Sequence, residues 1–205
     1  MQRAWLIVIG LALGVVCYYL PWVTHSTAVF TMNAFDLAEW TSLHPAVRSS
    51  SPPMLTSFLL RLPQVMLAAA FALSANLLVD LRARWIQRGL ALLLALRLVP
   101  PTDFFTGASA DPNYRQMALL TGLGIALVVL AAWAARLPRQ WQIGLLISVL
   151  VIAVLGGWWG LSRAGVLLDN FEIDVQIGAG IICLTAITLV IVVLGLRRRA
   201  IPNSL

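Results

Sequence analysis

Lysine is missing altogether from this chain of 205 residues, although its sequence contains fourteen arginines. Charged residues make up only 11% of the sequence, hydrophobic residues make up 60%, and the mean hydropathy is +0.91. A soluble protein of this composition would have too few polar side chains to cover its surface. The scarcity of charge therefore excludes an ordinary soluble domain and indicates a membrane protein.

Reactive side chains are also few. The two cysteines, Cys17 and Cys183, lie in apolar segments, where a thiol behaves as a small hydrophobic group, and two thiols alone make no metal site. The two histidines, His25 and His44, lie outside the apolar runs, which argues against haem held between helices. The sequence has no HExxH, GxSxG or nucleotide-binding loop. It therefore predicts a protein that is not an enzyme and has no cofactor or metal.

The excess of positive charge, a formal +6, does not indicate a nucleic-acid partner. The arginines stand in ones, twos and threes at the ends of apolar runs, and no basic stripe interleaved with aromatic residues is present. Arginines placed in this way are typical of the residues that orient membrane helices. The predicted partners are the lipid bilayer and other membrane-protein subunits.

The apolar runs predict an all-α, polytopic membrane protein that forms one domain over residues 1–205. We expect about six transmembrane helices plus one short interfacial amphipathic helix, because the runs are solidly apolar rather than alternating. The predicted spans are residues 5–20, 54–79, 85–99, 116–135, 141–161 and 175–196. The third span is short, which leaves two alternatives: a full crossing of a thinned bilayer, which we favour, or a re-entrant half-helix.

Counting arginines predicts the orientation. With six spans and the N-terminus inside, nine arginines lie on the inner side together with one acidic residue, Asp80. The inner arginines are residues 3, 82, 84, 88, 136, 139, 197, 198 and 199. Positive residues hold the cytoplasmic side, so we expect both termini in the cytoplasm of a bacterial cell and the chain in its cytoplasmic (inner) membrane. The predicted outer segments are residues 21–53, 101–115 and 162–174.

The outer segment 21–53 contains the predicted amphipathic helix. Asn33 suits the position that caps its N-terminus, and residues 37, 40 and 43 are expected to turn an apolar face inward, with Asp36 and Glu39 largely opposite. The candidate surface for a partner consists of Asp36, Leu37, Glu39, Trp40, Leu43 and His44. A metal or acid–base site made by the acids of this helix and the histidines is the alternative, but converging ligands are not indicated, so solvated loop residues are favoured.

Apart from Arg88 near the start of the third span, two arginines fall within the predicted spans. We expect Arg61 to extend to the near interface. Arg97 lies deeper in its apolar run, where an unpaired charge is costly, so we predict an intramembrane ion pair with Asp103. A place on a substrate or ion pathway is the alternative role for Arg97.

Glycines at a spacing of four residues allow helices to approach closely. The candidate packing glycines are Gly10, Gly14, Gly156 and Gly160. Together these features predict a non-catalytic integral membrane subunit, or an assembly or stabilising factor, of a larger complex in the cytoplasmic membrane. The alternative is a small multi-pass transporter or channel. A membrane-embedded enzyme is the least expected function.

Overall fold

A computed structural model of the chain describes residues 2–25, 31–170 and 175–196, and 79% of it is helix. The predicted all-α class is therefore confirmed for this part of the chain. The helices are α1 (Gln2–Tyr19), α2 (Ala34–Leu43), α3 (Pro45–Arg48), α4 (Leu55–Ala75), α5 (Leu81–Leu96), α6 (Asp103–Thr106), α7 (Pro112–Trp133), α8 (Arg139–Asp169) and α9 (Ala179–Leu196). A short 3₁₀ turn, Ala134–Arg136, follows α7.

The predicted count of about six spans is not confirmed. In the described part of the chain, four segments are long and apolar enough to cross a membrane: Leu55–Ala75, Pro112–Arg136, Arg139–Asp169 and Ala179–Leu196. A shorter apolar helix covers Ala4–Tyr19. The 16 residues of α5 give it a length of about 24 Å, against roughly 30 Å for the hydrocarbon of a bilayer.

The helix α4 occupies the centre of the bundle. It packs against α1, α2, α5, α7 and α8, and 89% of its apolar window is buried. The outer helices bury only one stripe each; for α7, α8 and α9 the buried share is 39%, 39% and 33%. The remaining faces of these outer helices carry large exposed apolar side chains, as expected for helices that face lipid.

A small antiparallel sheet, which was not predicted, joins the C-terminal end of α1 to the N-terminal end of α9. Its strands are β1 (Val23–His25), β2 (Thr31–Met32) and β3 (Val175–Ile177), in the order β2-β1-β3. Gly178 and Gly180 donate backbone hydrogen bonds to Trp22 and Pro21. A Cβ atom at either glycine would overlap residues 20–22, so this close approach requires glycine. We call this end of the bundle the sheet end.

The helix α8 runs beyond the boundary predicted for the fifth span. It has 31 residues, a length of about 46 Å, and continues to Asp169 through part of the segment predicted to be outside. The extension is stabilised because Leu167 packs against Val47 and Met54 in a small apolar cluster. The end of α8 therefore supports the connection between α3 and α4.

The face assigned to α2 is partly wrong. Its buried residues are Ala34, Leu37, Ala38, Thr41 and Ser42, whereas Leu43 is 69% exposed and Trp40 is partly buried. Residues three positions apart drift by about 60° around a helix, so Leu43 points away from Leu37. Small side chains at 34, 38 and 41 let α2 lie close against α4.

Candidate functional site

The most unusual side chain in the described structure is Arg61, in the second turn of α4. Its side chain is fully buried. Its Nη2 donates to Oε1 of Glu39 at 2.6 Å, and its Nη1 donates to Oε1 of Gln116 at 2.9 Å. A buried guanidinium needs a carboxylate and further hydrogen bonds to offset the loss of hydration. Arg61 therefore draws α2, α4 and α7 together at one point near the sheet end.

Two further groups extend this network. Asn113 donates from Nδ2 to the second carboxylate oxygen of Glu39 at 3.4 Å, and Gln116 donates from Nε2 to the carbonyl of Met54 at 2.8 Å. We call Glu39, Arg61, Asn113 and Gln116 the Arg61 network. The charge of Arg61 is balanced by Glu39, and among the side-chain atoms of the network only Arg61 Nε and Asn113 Oδ1 are buried without a hydrogen-bond partner in the described protein.

The elements that position the network are fixed by caps. Asp111 caps α7 by accepting hydrogen bonds from the backbone of Asn113 and Tyr114. The same carboxylate forms an ion pair with Arg48 of α3 at 3.2 Å. Capping satisfies backbone donors that a helix start leaves unpaired. The start of α7 is thereby held in position, so that Asn113 and Gln116 reach Glu39 and Arg61.

Two tyrosines at the end of α1 connect to the turns beside Arg61. Tyr18 donates to the carbonyl of Leu60 at 3.1 Å, and Tyr19 donates to Oε1 of Gln64 at 3.4 Å. Gln64 in turn donates to the carbonyl of Leu94 on α5 at 3.0 Å. The polar region therefore spans five helices, with α4 at its centre.

Arg97, which the sequence singled out, has different surroundings. It follows the last residue of α5, is exposed, and its guanidinium carbon lies 4.5 Å from the centroid of the Phe35 ring. The ion pairs between described residues are Arg48–Asp111 and Glu39–Arg61. Arg97 and the predicted partner Asp103, which begins α6, do not form one there.

The candidate partner surface on α2 is divided by the fold. Asp36 is exposed, and Asn33 caps the helix by accepting from its backbone N–H at 3.0 Å, as predicted. Leu37 is buried, Glu39 belongs to the Arg61 network, and the Trp40 ring lies 6.3 Å from that of His44. The exposed remainder of the surface is therefore centred on Leu43.

The two histidines lie in a helix cap and in a strand. His44 caps α3 by accepting from the backbone of Ala46 at 3.1 Å, and His25 lies in β1 opposite Val175. Among the described residues, no group of three His, Cys, Asp or Glu side chains is placed to hold a metal ion.

The four candidate packing glycines lie where helices meet. A Cβ atom at Gly10 would lie 3.2 Å from Ile191, and one at Gly14 would lie 3.4 Å from Leu67. On α8, a Cβ at Gly156 would lie 2.8 Å from the Leu62 side chain, and one at Gly160 would meet the backbone of α4 at 3.0 Å. Among these four glycines, the closest approach is that of α8 to α4, at residues next to Arg61.

Comparison with known proteins does not identify the chain. The chain matches no protein-family model, no curated protein and no solved structure. Its function must therefore be inferred from its own residues.

The Arg61 network was missed because the rule for intramembrane charges was applied to a different arginine. Glu39 was predicted to lie on the outward side of the amphipathic helix, and Arg61 was predicted to reach the interface. The signal for Arg61 was its place three residues before Gln64 in a mostly apolar span, since polar residues grouped inside a span face the protein rather than lipid.

Proposed function

We propose that this protein is a non-catalytic integral membrane subunit, or an assembly or stabilising factor, of a larger complex in the cytoplasmic membrane of a bacterium. The observation that carries the proposal is the burial of α4 within the bundle. A helix fills the centre, where a transporter would need a pathway. The polar groups of the Arg61 network bind one another and fix the helices.

Purification from its native host tests this proposal. The chain, tagged at its natural expression level, is extracted in a mild detergent, and co-migrating proteins are identified by mass spectrometry. We expect a defined set of membrane proteins to migrate with it in one peak. Migration as a lone chain of 22.3 kDa plus its detergent, at native level, would contradict the proposal.

The exposed part of the α2 surface supplies the variant for this experiment. Leu43 is 69% exposed at the sheet end, so Leu43→Glu should release the partners without disturbing the fold. Ser49→Glu, at the exposed residue directly after α3, is the matched control and should keep them. Equal retention by both variants would place the partner surface elsewhere on the chain.

We further propose that α1, α4, α5, α7, α8 and α9 all cross the membrane and that both termini are cytoplasmic. The alternating directions of successive helices support this. The contacts near the sheet end join the end of α1, the start of α4, the end of α5 and the start of α7. In a background without Cys17 and Cys183, a cysteine at Ser50 should react with an impermeant reagent added outside. Cysteines at Arg84 and Ser204 should not, and labelling of Ser204 would contradict the six-span arrangement.

The second candidate function is a small transporter or channel. It is favoured by the exposed guanidinium of Arg97 at the sheet end, which lies over Phe35. Isolation of the chain without partners, together with loss of growth on replacing Arg97 by Leu in a protein that still inserts, would favour this function over the first.

A further inference from the structure

At the end of the bundle opposite the sheet, Arg88 of α5 lies over an exposed tryptophan. Its guanidinium carbon is 5.4 Å from the centroid of the Trp85 ring, and Trp85 is 64% exposed. Its Nη2 donates to Oδ1 of Asn76 at 3.1 Å. Its Nε is buried and has no hydrogen-bond partner in the described protein. This buried Nε cannot reach a ligand from outside, but the contact with Asn76 uses only one of the four terminal N–H donors, which leaves three for a ligand.

Arg84 lies one turn before Arg88, on the same face of α5. Its Nε donates to the carbonyl of Leu78 at 2.6 Å, which fixes the side chain while leaving its terminal nitrogens for other contacts. We call Asn76, Arg84, Trp85 and Arg88 the Arg88 site. Two guanidinium groups one helical turn apart match the several oxygens of a phosphate group.

The positive charge at this end has little internal compensation. Among the acidic residues that the structure describes, only Asp80 lies here. Its carboxylate caps α5 by accepting from the backbone of Arg82 and Ala83. Neither Arg84 nor Arg88 forms an ion pair in the described part of the chain. The site therefore lacks a negative group, and an external anion can supply one.

The position of Arg88 corresponds to the membrane–water interface. Asn76, which binds Arg88, also donates from Nδ2 to the carbonyl of Ala131 at 2.8 Å. Ala131 is nineteen residues beyond Pro112, the first residue of α7, and therefore about 28 Å along that helix. This distance is close to the roughly 30 Å thickness of bilayer hydrocarbon. The exposed rings of Trp85 and Trp133 are typical of that level.

We propose that the Arg88 site binds the phosphate headgroup of an anionic phospholipid. The ligand is a lipid rather than free phosphate because the site opens at the interface, between an exposed indole and the apolar outer face of α5. Basic sites between membrane helices commonly bind such headgroups. The proposal rests on the membrane embedding proposed above, but not on the chain being a subunit.

Lipid titration of the purified chain in a neutral detergent tests the proposal. Phosphatidylglycerol or phosphatidylcholine is added, and native mass spectrometry gives the apparent Kd of the first lipid bound. We expect phosphatidylglycerol to bind at least about tenfold more tightly than phosphatidylcholine. Each of Arg88→Gln and Arg84→Gln should weaken phosphatidylglycerol binding about fivefold, because each removes a direct hydrogen-bonded contact of one guanidinium with the headgroup phosphate.

Two control variants distinguish binding at the Arg88 site from attraction to the positive charge of the protein as a whole. Arg82→Gln removes the same charge from an exposed residue of the same helix, and Arg115→Gln removes it at the sheet end; both should change the Kd by less than about twofold. If Arg88→Gln does not fold, the lipid affinity of Arg84→Gln decides the test, since this variant keeps the Arg88–Asn76 hydrogen bond. Equal weakening by Arg82→Gln, or wild-type binding by Arg84→Gln and Arg88→Gln, would overturn the proposal.

Inorganic phosphate distinguishes the two sources of the ligand group. Millimolar phosphate should leave phosphatidylglycerol binding unchanged if the lipid is the ligand, and displacement would overturn the assignment to lipid. A failure of the subunit proposal looks different, because it would appear as the absence of co-migrating proteins from a chain that still binds phosphatidylglycerol.

Discussion

Two arginines near the sheet end, Arg61 at the start of α4 and Arg97 after the end of α5, have opposite surroundings. Arg61 is fully buried and paired with Glu39, whereas Arg97 is exposed and lies over Phe35. In the sequence both look alike, since each is a single arginine within an apolar run. The difference teaches that the depth of a charge in a bundle depends on whether its helix is central, and not on its place within the run.

The packing of α4 explains why the buried arginine is there. Every side of α4 meets another helix, so Arg61 has no route to water and its charge must be balanced within the protein. The end of α5 lies at the edge of the bundle, where the Arg97 guanidinium keeps contact with the surroundings. We therefore expect changes to the Arg61 network to affect stability strongly and changes at Arg97 to affect it weakly.

The largest effect is expected for Glu39→Ala. This change leaves the buried guanidinium of Arg61 without its carboxylate, which costs about 3 kcal/mol, the lower end of the range for breaking a buried pair, because the Glu39 side chain is 38% exposed. Thermal unfolding in detergent, followed by circular dichroism, should show a clearly lower midpoint. This corrects the expectation from sequence that Glu39 lies on the outward side of α2.

The double variant Glu39→Ala, Arg61→Leu is the control. Removing both charges eliminates the unpaired guanidinium, so much of the lost stability should return, because a buried pair contributes little net stability over apolar side chains. A double variant that is less stable than Glu39→Ala would mean that the ion pair itself, and not the unpaired charge, dominates.

A smaller effect is expected for Gln116→Leu. The change removes one partner of Arg61 and the bond to the Met54 carbonyl, at a cost of about 1–3 kcal/mol, the usual range for leaving buried polar groups unpaired. Urea or SDS titration of the detergent-solubilised protein measures the difference. Gln176→Leu, at an exposed position in β3, is the matched control at the same end, and it should change the midpoint by less than half as much.

Much of the fold follows from the sequence because its signals are local. Apolar run length predicts the long helices, and an Asn three residues before Asp36 predicts the cap of α2. The Arg61 network brings together residues that are 22 and 55 positions apart, and a single sequence holds no signal for such a meeting. The sheet was missed for a similar reason, since strands of two or three residues carry no period-two pattern.

The buried face of α2 could not be read from its own residues either. Large apolar side chains at 37, 40 and 43 suggested the inward face, but the face that packs is set by the close approach of α4. Small residues permit that approach, so Ala34 and Ala38 are buried while Leu43 is not. Side-chain size at the contact, and not hydrophobicity alone, determined which way the helix turned.

The smallest effect on stability is expected for Arg97→Leu. The change removes a cation–π contact with Phe35 that is worth about 0.5–1 kcal/mol at an exposed position, and it leaves no unpaired carboxylate in the described ion pairs. Unfolding midpoints of Arg97→Leu and Arg97→Lys should lie close to that of the wild type. Arg61→Leu is the informative comparison, because it leaves the Glu39 carboxylate without its ion-pair partner and should be clearly less stable than Arg97→Leu.

If instead Arg97→Leu loses as much stability as Glu39→Ala, Arg97 balances a buried charge, and the contrast between the two arginines is wrong. If Arg97→Leu folds normally and inserts but fails to complement a deletion of the gene, the exposed guanidinium has a functional partner outside the chain, such as a subunit or a transported anion.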